Sequence, residues 1–358
     1  MVNSRQVIRK IYNILNRRTE TVFCLLILAI IVSWTIDKKE NDLKREKLKG
    51  NVKSITERYE VVNIDRFGKA EIGKDSAKKS LTMKRIVFDS NGNKIEWRSI
   101  NYDGSVDFIR KYKYDALGNL IEWISHNSDG SIQFKEAYKY NDKGYKNEWC
   151  KYDSEGVLKF KGTFKYNEKG NLTEWITFKT DEIPFITMTY KYDKKGNKIE
   201  NLRYDSGGVL TYKYTYKYDK RGNIINWNSY NSYNNSLGKE TSKYDKNSNL
   251  TELNRYKTDG SLDFKETYKY DNNGNKIEFI KYQGNGSIIH KWSYNYDEFG
   301  NVIEWKIEEI DKFSKKSKHK NTYKYEYDEK GNWTKKSEYI NENPKFIIIR
   351  EISYFNLN

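Results

Sequence analysis

Leu262-Asp263-Phe264-Lys265-Glu266-Thr267-Tyr268-Lys269-Tyr270-Asp271-Asn272-Asn273-Gly274-Asn275-Lys276-Ile277-Glu278-Phe279 is the stretch whose pattern decides the fold. Leu262, Phe264, Tyr268 and Tyr270 share one face, with Glu266 the exception, and Asp263, Lys265, Thr267 and Lys269 share the other. Period two, with one aromatic and one charged face, marks a half-buried antiparallel strand. Gly274-Asn275 then interrupts the alternation, and both residue types accept the positive φ of a tight turn. Beyond it Ile277 and Phe279 share a face, opposed by Lys276, Glu278 and Ile280. Two such segments around a short turn make a β-hairpin. Lys on one strand and Glu on the next can pair, at about 0.2–1 kcal/mol each.

The hairpin repeats. An aromatic residue opens the turn at Phe88, Tyr114, Tyr140, Tyr166, Tyr192, Tyr218, Tyr244, Tyr270 and Tyr296, every step 26 residues, and a tenth at Tyr327 follows after 31. Asp or Asn comes next, then Gly-Asn in most copies, as in Gly118-Asn119 and Gly196-Asn197. Nine residues after the opening aromatic stands Trp97, Trp123, Trp149, Trp175, Trp227 or Trp305, replaced by Asn201, Leu253 and Phe279 once each. A second turn carries Gly104, Gly130, Gly156, Gly208, Gly260 or Gly286. Gly50–Glu60 and Leu81–Asp89 read as opening strands, Arg350–Phe355 as a closing strand, and Lys312–Asn321 as an inserted loop.

The predicted fold is all-β: an antiparallel β-hairpin repeat array of about twenty strands. A sheet with one apolar face must cover it, so the array is expected to curl into a spiral or shell with its aromatics inward. An extended single-layer meander is the alternative. The length of 358 residues suggests two or three domains, but copies stacked on neighbours make one array.

Composition agrees. Apolar residues are 36% while aromatics reach 15%, which excludes disorder. Two cysteines exclude a disulfide scaffold, and a mean hydropathy of −0.98 excludes a multi-pass membrane protein. Three scattered histidines (His126, His290, His319) give no zinc site, and no metal or other cofactor is expected. Lys and Arg number 66 against 50 Asp and Glu, a net charge of +16.

The N-terminus differs from the array. Residues 1–20 are basic, and Thr21–Ile36 (TVFCLLILAIIVSWTI) are 16 residues without a charge. The run is apolar on every face, with Trp34 at its far end, and no small-x-small cleavage site follows. It reads as an uncleaved signal anchor, one transmembrane helix in the bilayer, with the body outside the cytoplasm; cleavage would make the protein secreted. Residues 37–49 read as a charged tether, and 50–358 as the repeat domain.

Candidate sites divide between function and architecture. The turn Asp and Asn residues could ligate Ca²⁺, but fit better as Asx-turns. The Trp residues could stack on sugars but fit better as a ladder of buried rings. Tyr102, Tyr152, Tyr204, Tyr256 and Tyr282, near the second turns, are the candidate ligand-binding residues. Glu96, Glu122, Glu148, Glu174, Glu200, Glu252, Glu278 and Glu304 are equivalent copies, whereas a glycosidase needs one unlike carboxylate pair. The chain thus reads as a non-enzymatic scaffold of the cell envelope that binds a glycan or a surface protein. A ligand-free structural spacer is the alternative and a glycosidase a remote third; nucleic acid is not an expected partner.

The string Lys191-Tyr192-Asp193-Lys194-Lys195-Gly196-Asn197-Lys198-Ile199-Glu200, echoed in Lys269–Glu278, resembles the YD repeats of Rhs-type proteins of the Bacteroidetes kind. The resemblance spans about residues 82–340. It implies an all-β, exported or surface-associated repeat protein, for whose large relatives a hollow β-shell and carbohydrate binding are proposed. No toxin domain is recognisable after the repeats, so toxin encapsulation is not expected.

Overall fold

A computed structural model of the chain describes residues 41–64, 70–72, 83–101, 103–180, 182–310 and 316–356. The expected transmembrane helix at 21–36 lies outside these residues, and no helix among the described residues is long and apolar enough to cross a membrane.

Each repeat folds as the turn chemistry dictates. Asp115 Oδ1 accepts the backbone N–H groups of Leu117 and Asn119 at 3.0 and 2.7 Å, and its Oδ2 accepts Asn119 Nδ2 at 2.8 Å. Gly118 sits at φ 74° and Gly196 at φ 89°, where an L side chain would be strained. The Asp193 turn repeats this network with Asn197. The carboxylates are spent on their own turn backbone, as in Asx-turns.

The chain begins with a short helix, α1 (Asp42–Arg45), then β1 (Val52–Ile64), β2 (Ala70–Ile72) and β3 (Met83–Phe88), and ends with β22 (Trp333–Ile340) and β23 (Asn343–Tyr354). Consecutive strands pair antiparallel from β3 to β23, and β1 pairs with both β23 and β3. Of the 23 strands, β2 pairs only with the far end of β1, which leaves 22 in an unbroken ring. The expected curled or spiral sheet is therefore corrected to a closed barrel. At ~4.8 Å between strands and a tilt of ~40°, a round ring of this order is about 40 Å across.

Closure has a specific cause. Tyr354 pairs with Val52, and the Phe355 N–H donates to Asn51 O at 2.9 Å. These are the bonds of an ordinary first turn, where the Asp115 N–H donates to Asn119 O and Tyr114 pairs with Leu120. Gly50 at φ 77° holds the turn-glycine position. The two chain ends thus form one further hairpin, split between them: Tyr354-Phe355 supplies its first half and Gly50-Asn51-Val52 its second.

The opening tyrosines join neighbouring copies. Tyr114, Tyr140, Tyr166, Tyr192, Tyr218, Tyr244, Tyr270 and Tyr296 each donate the hydroxyl to the backbone carbonyl 20 residues earlier, at 2.6–2.9 Å. Each such bond contributes about 1 kcal/mol. The first copy has Phe88 instead, 1% exposed among Leu43, Leu48, Val52, Ile55 and Ile86. Residues 42–49, within the stretch read as a tether, therefore pack on the barrel beside the seam; the Lys49 N–H donates to Asn332 Oδ1 at 2.7 Å.

Two further readings change. Lys316–Asn321, placed in an inserted loop, open a strand, Lys316–Tyr327, which pairs with Val302–Ile310. The alternation after each first turn also slips. In β17 (Leu262–Tyr270) and β18 (Lys276–Gln283), Tyr270 pairs with Lys276 but Lys269 with Glu278. Ile277 is an inserted bulge residue, and the bulge moves Lys276 to the aromatic face.

Candidate functional site

The aromatic face is the interior of the barrel. Its side chains crowd together, with Asn201 0%, Tyr190 6% and Met188 8% exposed. The opposite face splays its lysines, with Lys113, Lys139 and Lys269 side chains 69%, 74% and 70% exposed. Side chains converge on a concave surface and diverge on a convex one. Among the described residues no second layer covers the rings, since extensive contacts join only hydrogen-bonded neighbours.

Trp97, Trp123, Trp149, Trp175, Trp227 and Trp305 all stand half-buried on this interior face. Trp123 lies 4.9 Å from Phe134 edge-on and 6.2 Å from Tyr112, Trp227 stacks at 5.9 Å on Tyr214, and Trp305 at 5.1 Å on Trp292. Glu136 gathers the indole N–H groups of Trp123 and Trp149 at 3.2 and 3.1 Å and the Tyr138 hydroxyl at 2.8 Å. The indole N–H groups of Trp97 and Trp175 have no hydrogen-bond partner among the described residues. Asn201, in place of the fifth tryptophan, is buried with neither carboxamide atom at hydrogen-bonding geometry, although the Tyr216 hydroxyl is close enough to feel it.

Cations lie between these rings. Lys146 sits 5.1 and 5.0 Å from the rings of Tyr138 and Phe164, Lys198 5.5 and 5.2 Å from Tyr190 and Tyr216, and Arg110 4.7 Å from Trp97 and 5.4 Å from Trp123. Burial holds Lys146, Lys198 and Lys336 below the ordinary lysine range, because desolvation penalises the ammonium form. Ring faces offset part of that penalty. Burial also pushes the Tyr216 phenol up to about 12. The interior can therefore stack planar or ring-shaped groups and attract negative charge.

The exterior is a lattice of ion pairs. Glu252 lies 2.8 Å from Lys243 and 2.7 Å from Lys265, and Glu278 lies 2.8 Å from both Lys269 and Lys291. The lysine hydrogen bonds hold Glu252 down to about 2. Of the glutamates singled out in the sequence, Glu122, Glu148, Glu174, Glu200, Glu252, Glu278 and Glu304 serve here as cross-strand partners of lysines, and Glu96 pairs with Arg98 on its own strand.

Tyr152, Tyr204, Tyr256 and Tyr282 are half-buried strand residues. The register places them on this charged exterior, opposite the tryptophan face. Lysines cover two of them, Lys135 at 4.9 Å over Tyr152 and Lys239 at 5.4 Å over Tyr256. Tyr102 lies outside the described residues. The structure does not bring these tyrosines together into one site. Sequence reasoning missed the interior cations; the signal was the recurrence of Lys94, Lys198 and Lys276 directly after Gly-Asn, and of Lys146 after Gly144-Tyr145. Among the described residues no cluster of three or more His, Cys, Asp or Glu could hold a metal ion.

No family model matches the chain, and no curated protein matches it. Among solved structures, the chain is similar to a TcdB2-TccC3-TEV chain at 12% identity and a TM-score of 0.26, covering 80% of this chain and 20% of that one. It thus spans about a fifth of that protein's length. It is also similar to a porin-like protein from Bacteroides uniformis (11% identity, 85% of this chain and 98% of that one, TM-score 0.27). A porin-like protein from Bacteroides vulgatus shows 10% identity over 86% and 99%, with a TM-score of 0.24.

Proposed function

We propose that the chain is a non-enzymatic scaffold of the cell envelope, of the YD-repeat kind, whose barrel interior holds a glycan. The observation that carries this reading is the aromatic interior: tryptophan and tyrosine rings around the wall, with no second layer over them among the described residues. Sugar rings stack on such surfaces, and their hydroxyls can meet partnerless donors such as Trp97 and Trp175 Nε1. The barrel itself sits in water. Its exterior bears Lys–Glu pairs whose lysines Lys161, Lys265 and Lys291 lie at mid-strand, where a membrane-spanning barrel carries an apolar band. Attachment to the bilayer falls to residues 21–36. A glycan array probed with the full chain in detergent tests the reading, with binding lost on Trp123→Ala and Trp227→Ala. A folded chain that binds no glycan at high micromolar concentration refutes it.

A second reading, binding of a surface protein, is favoured by one feature. Exposed apolar residues gather at the second turns of consecutive copies: Val157 46%, Ile183 57%, Val209 59% and Tyr233 83% exposed. Crosslinking from this rim would recover a stable partner if that reading holds.

A further inference from the structure

The hairpin split between the chain ends closes the ring without a covalent turn. Its two strands find each other through side chains. Glu57 on β1, 2% exposed, takes Arg350 of β23 at 3.0 and 2.6 Å and Lys84 of β3 at 3.0 Å. Tyr354 donates to Asp328, and Asn332 Nδ2 donates to the Tyr354 hydroxyl at 2.8 Å. Every one of these recognition elements on β23 is borne by any copy of the chain.

The hinge before β23 is strained. Ile340 pairs with Asn343, so the turn is the two residues Asn341-Glu342, at φ 48° and 69°. A two-residue turn with positive φ at both positions favours Asn-Gly. Asn341 suits its position, but Glu342 stands where glycine is preferred and carries a side chain in the left-handed region. Short hinges under strain invite strand exchange, a low-cost route to dimers. Straightening this hinge releases the strain, and a second copy offers β23 an identical slot.

We propose that two copies of the chain exchange β23, each closing the other's barrel at the seam. The slot between β22 and β1 is then an interaction surface whose partner is residues Asn343–Tyr354 of a second copy. Neighbouring chains held in one membrane would meet at the concentrations that favour it.

Co-expression of two variants tests the exchange. Thr56 and Glu351 are direct cross-strand partners. In a Cys24→Ser background, with Cys150 buried, one full-length chain carries Thr56→Cys and the other Glu351→Cys. A disulfide-linked heterodimer forms only if β23 of one copy lies against β1 of the other. The same-chain pair Thr56→Cys/Glu351→Cys reports whether the geometry permits the bond. The heterodimer is expected, and Glu342→Gly should lower it about 5-fold for each hinge, roughly 25-fold for two. If the same-chain pair crosslinks while co-expressed chains yield none, exchange is refuted. If the same-chain pair fails to crosslink, native mass spectrometry of the unmodified chain decides. A dimer weakened by Glu342→Gly supports exchange, and a monomer or a dimer indifferent to Glu342→Gly overturns it.

Discussion

Glu57→Gln is the sharpest test of how the ring is held shut. The carboxylate accepts Arg350 Nε at 3.0 Å and Nη2 at 2.6 Å, and Lys84 Nζ lies 3.0 Å from its other oxygen. The side chains of Glu57 and Arg350 are only 3% and 9% exposed, so water cannot replace the lost charge. Glutamine keeps the shape but leaves two cations facing each other in a desolvated site. Removing one partner of a buried pair costs about 3–5 kcal/mol. The Trp333 ring, 3.4 Å from the Arg350 guanidinium, keeps part of the arginine's stabilisation, so the low end, about 3 kcal/mol, is expected.

Glu252→Gln is the matched control, since it breaks two ion pairs at similar distances but on the exterior. Its lysines are 72% and 37% exposed, and exposed pairs are worth about 0.2–1 kcal/mol each. Urea unfolding followed by tryptophan fluorescence should therefore rank Glu57→Gln well below Glu252→Gln. Hydrogen exchange should rise first in β1 and β23. Replacing the whole cluster, as Glu57→Met with Arg350→Met and Lys84→Met, should restore most of the loss, because an apolar set carries no stranded charge. Equal destabilisation by the two single variants, or exchange spread evenly over all hairpins, would refute a seam held by this cluster.

Three other outcomes follow from the same contacts. Tyr218→Phe loses the bond to Lys198 O and should cost about 0.5–1.5 kcal/mol in chemical unfolding, whereas Phe88→Tyr, with its ring 1% exposed, should cost about 1–3 kcal/mol by burying a hydroxyl. Leu48→Ala, at a position 8% exposed, should cost about 2–5 kcal/mol, and a chain starting at residue 50 should unfold at lower urea than one starting at residue 41. Acid should weaken the exterior lattice: Glu252 and Glu278 titrate below the ordinary carboxylate value, the former at about 2, chiefly through their lysine hydrogen bonds. Their stabilisation is complete above about pH 4.5 and is lost as pH falls through the folded values; a melting temperature flat across that window would contradict it.

What the sequence disclosed and concealed follows from the physics of each element. The 26-residue period exposes the hairpins because turn chemistry is local: Asp115 needs only Gly118 and Asn119 to complete its network. The interior cations were hidden by one bulge. Simple alternation assigns Lys276 to the charged face; the inserted residue Ile277 sends it inward, against the rings of Tyr268 and Tyr294 at 5.7 Å. The same slip turns Ile199 and Ile225 outward, each 38% exposed, and explains aliphatic residues on an otherwise charged exterior. The face taken by Tyr152, Tyr204, Tyr256 and Tyr282 was not legible, since proximity to a turn says nothing about which face a strand residue takes.

Closure was hidden for a different reason. A period is counted along the chain, but a ring has no first copy, and its last hairpin straddles the termini. Gly50-Asn51-Val52 matches the second half of most first turns, and Tyr354 takes the place of the opening aromatic with Phe355 where Asp or Asn otherwise stands, yet about 300 residues separate them. Phe88 is the local trace of the same fact. Every regular copy but the first opens on a tyrosine because a preceding copy offers a carbonyl. The first copy follows the split hairpin, where residues 42–49 pack instead, and there an apolar ring replaces the phenol. A repeat that departs from its consensus only at the staple position therefore marks where a ring was cut. By the same logic Tyr354 keeps its hydroxyl, because at the other side of the cut Asp328 of the tenth copy still accepts its proton and Asn332 Nδ2 donates to its oxygen.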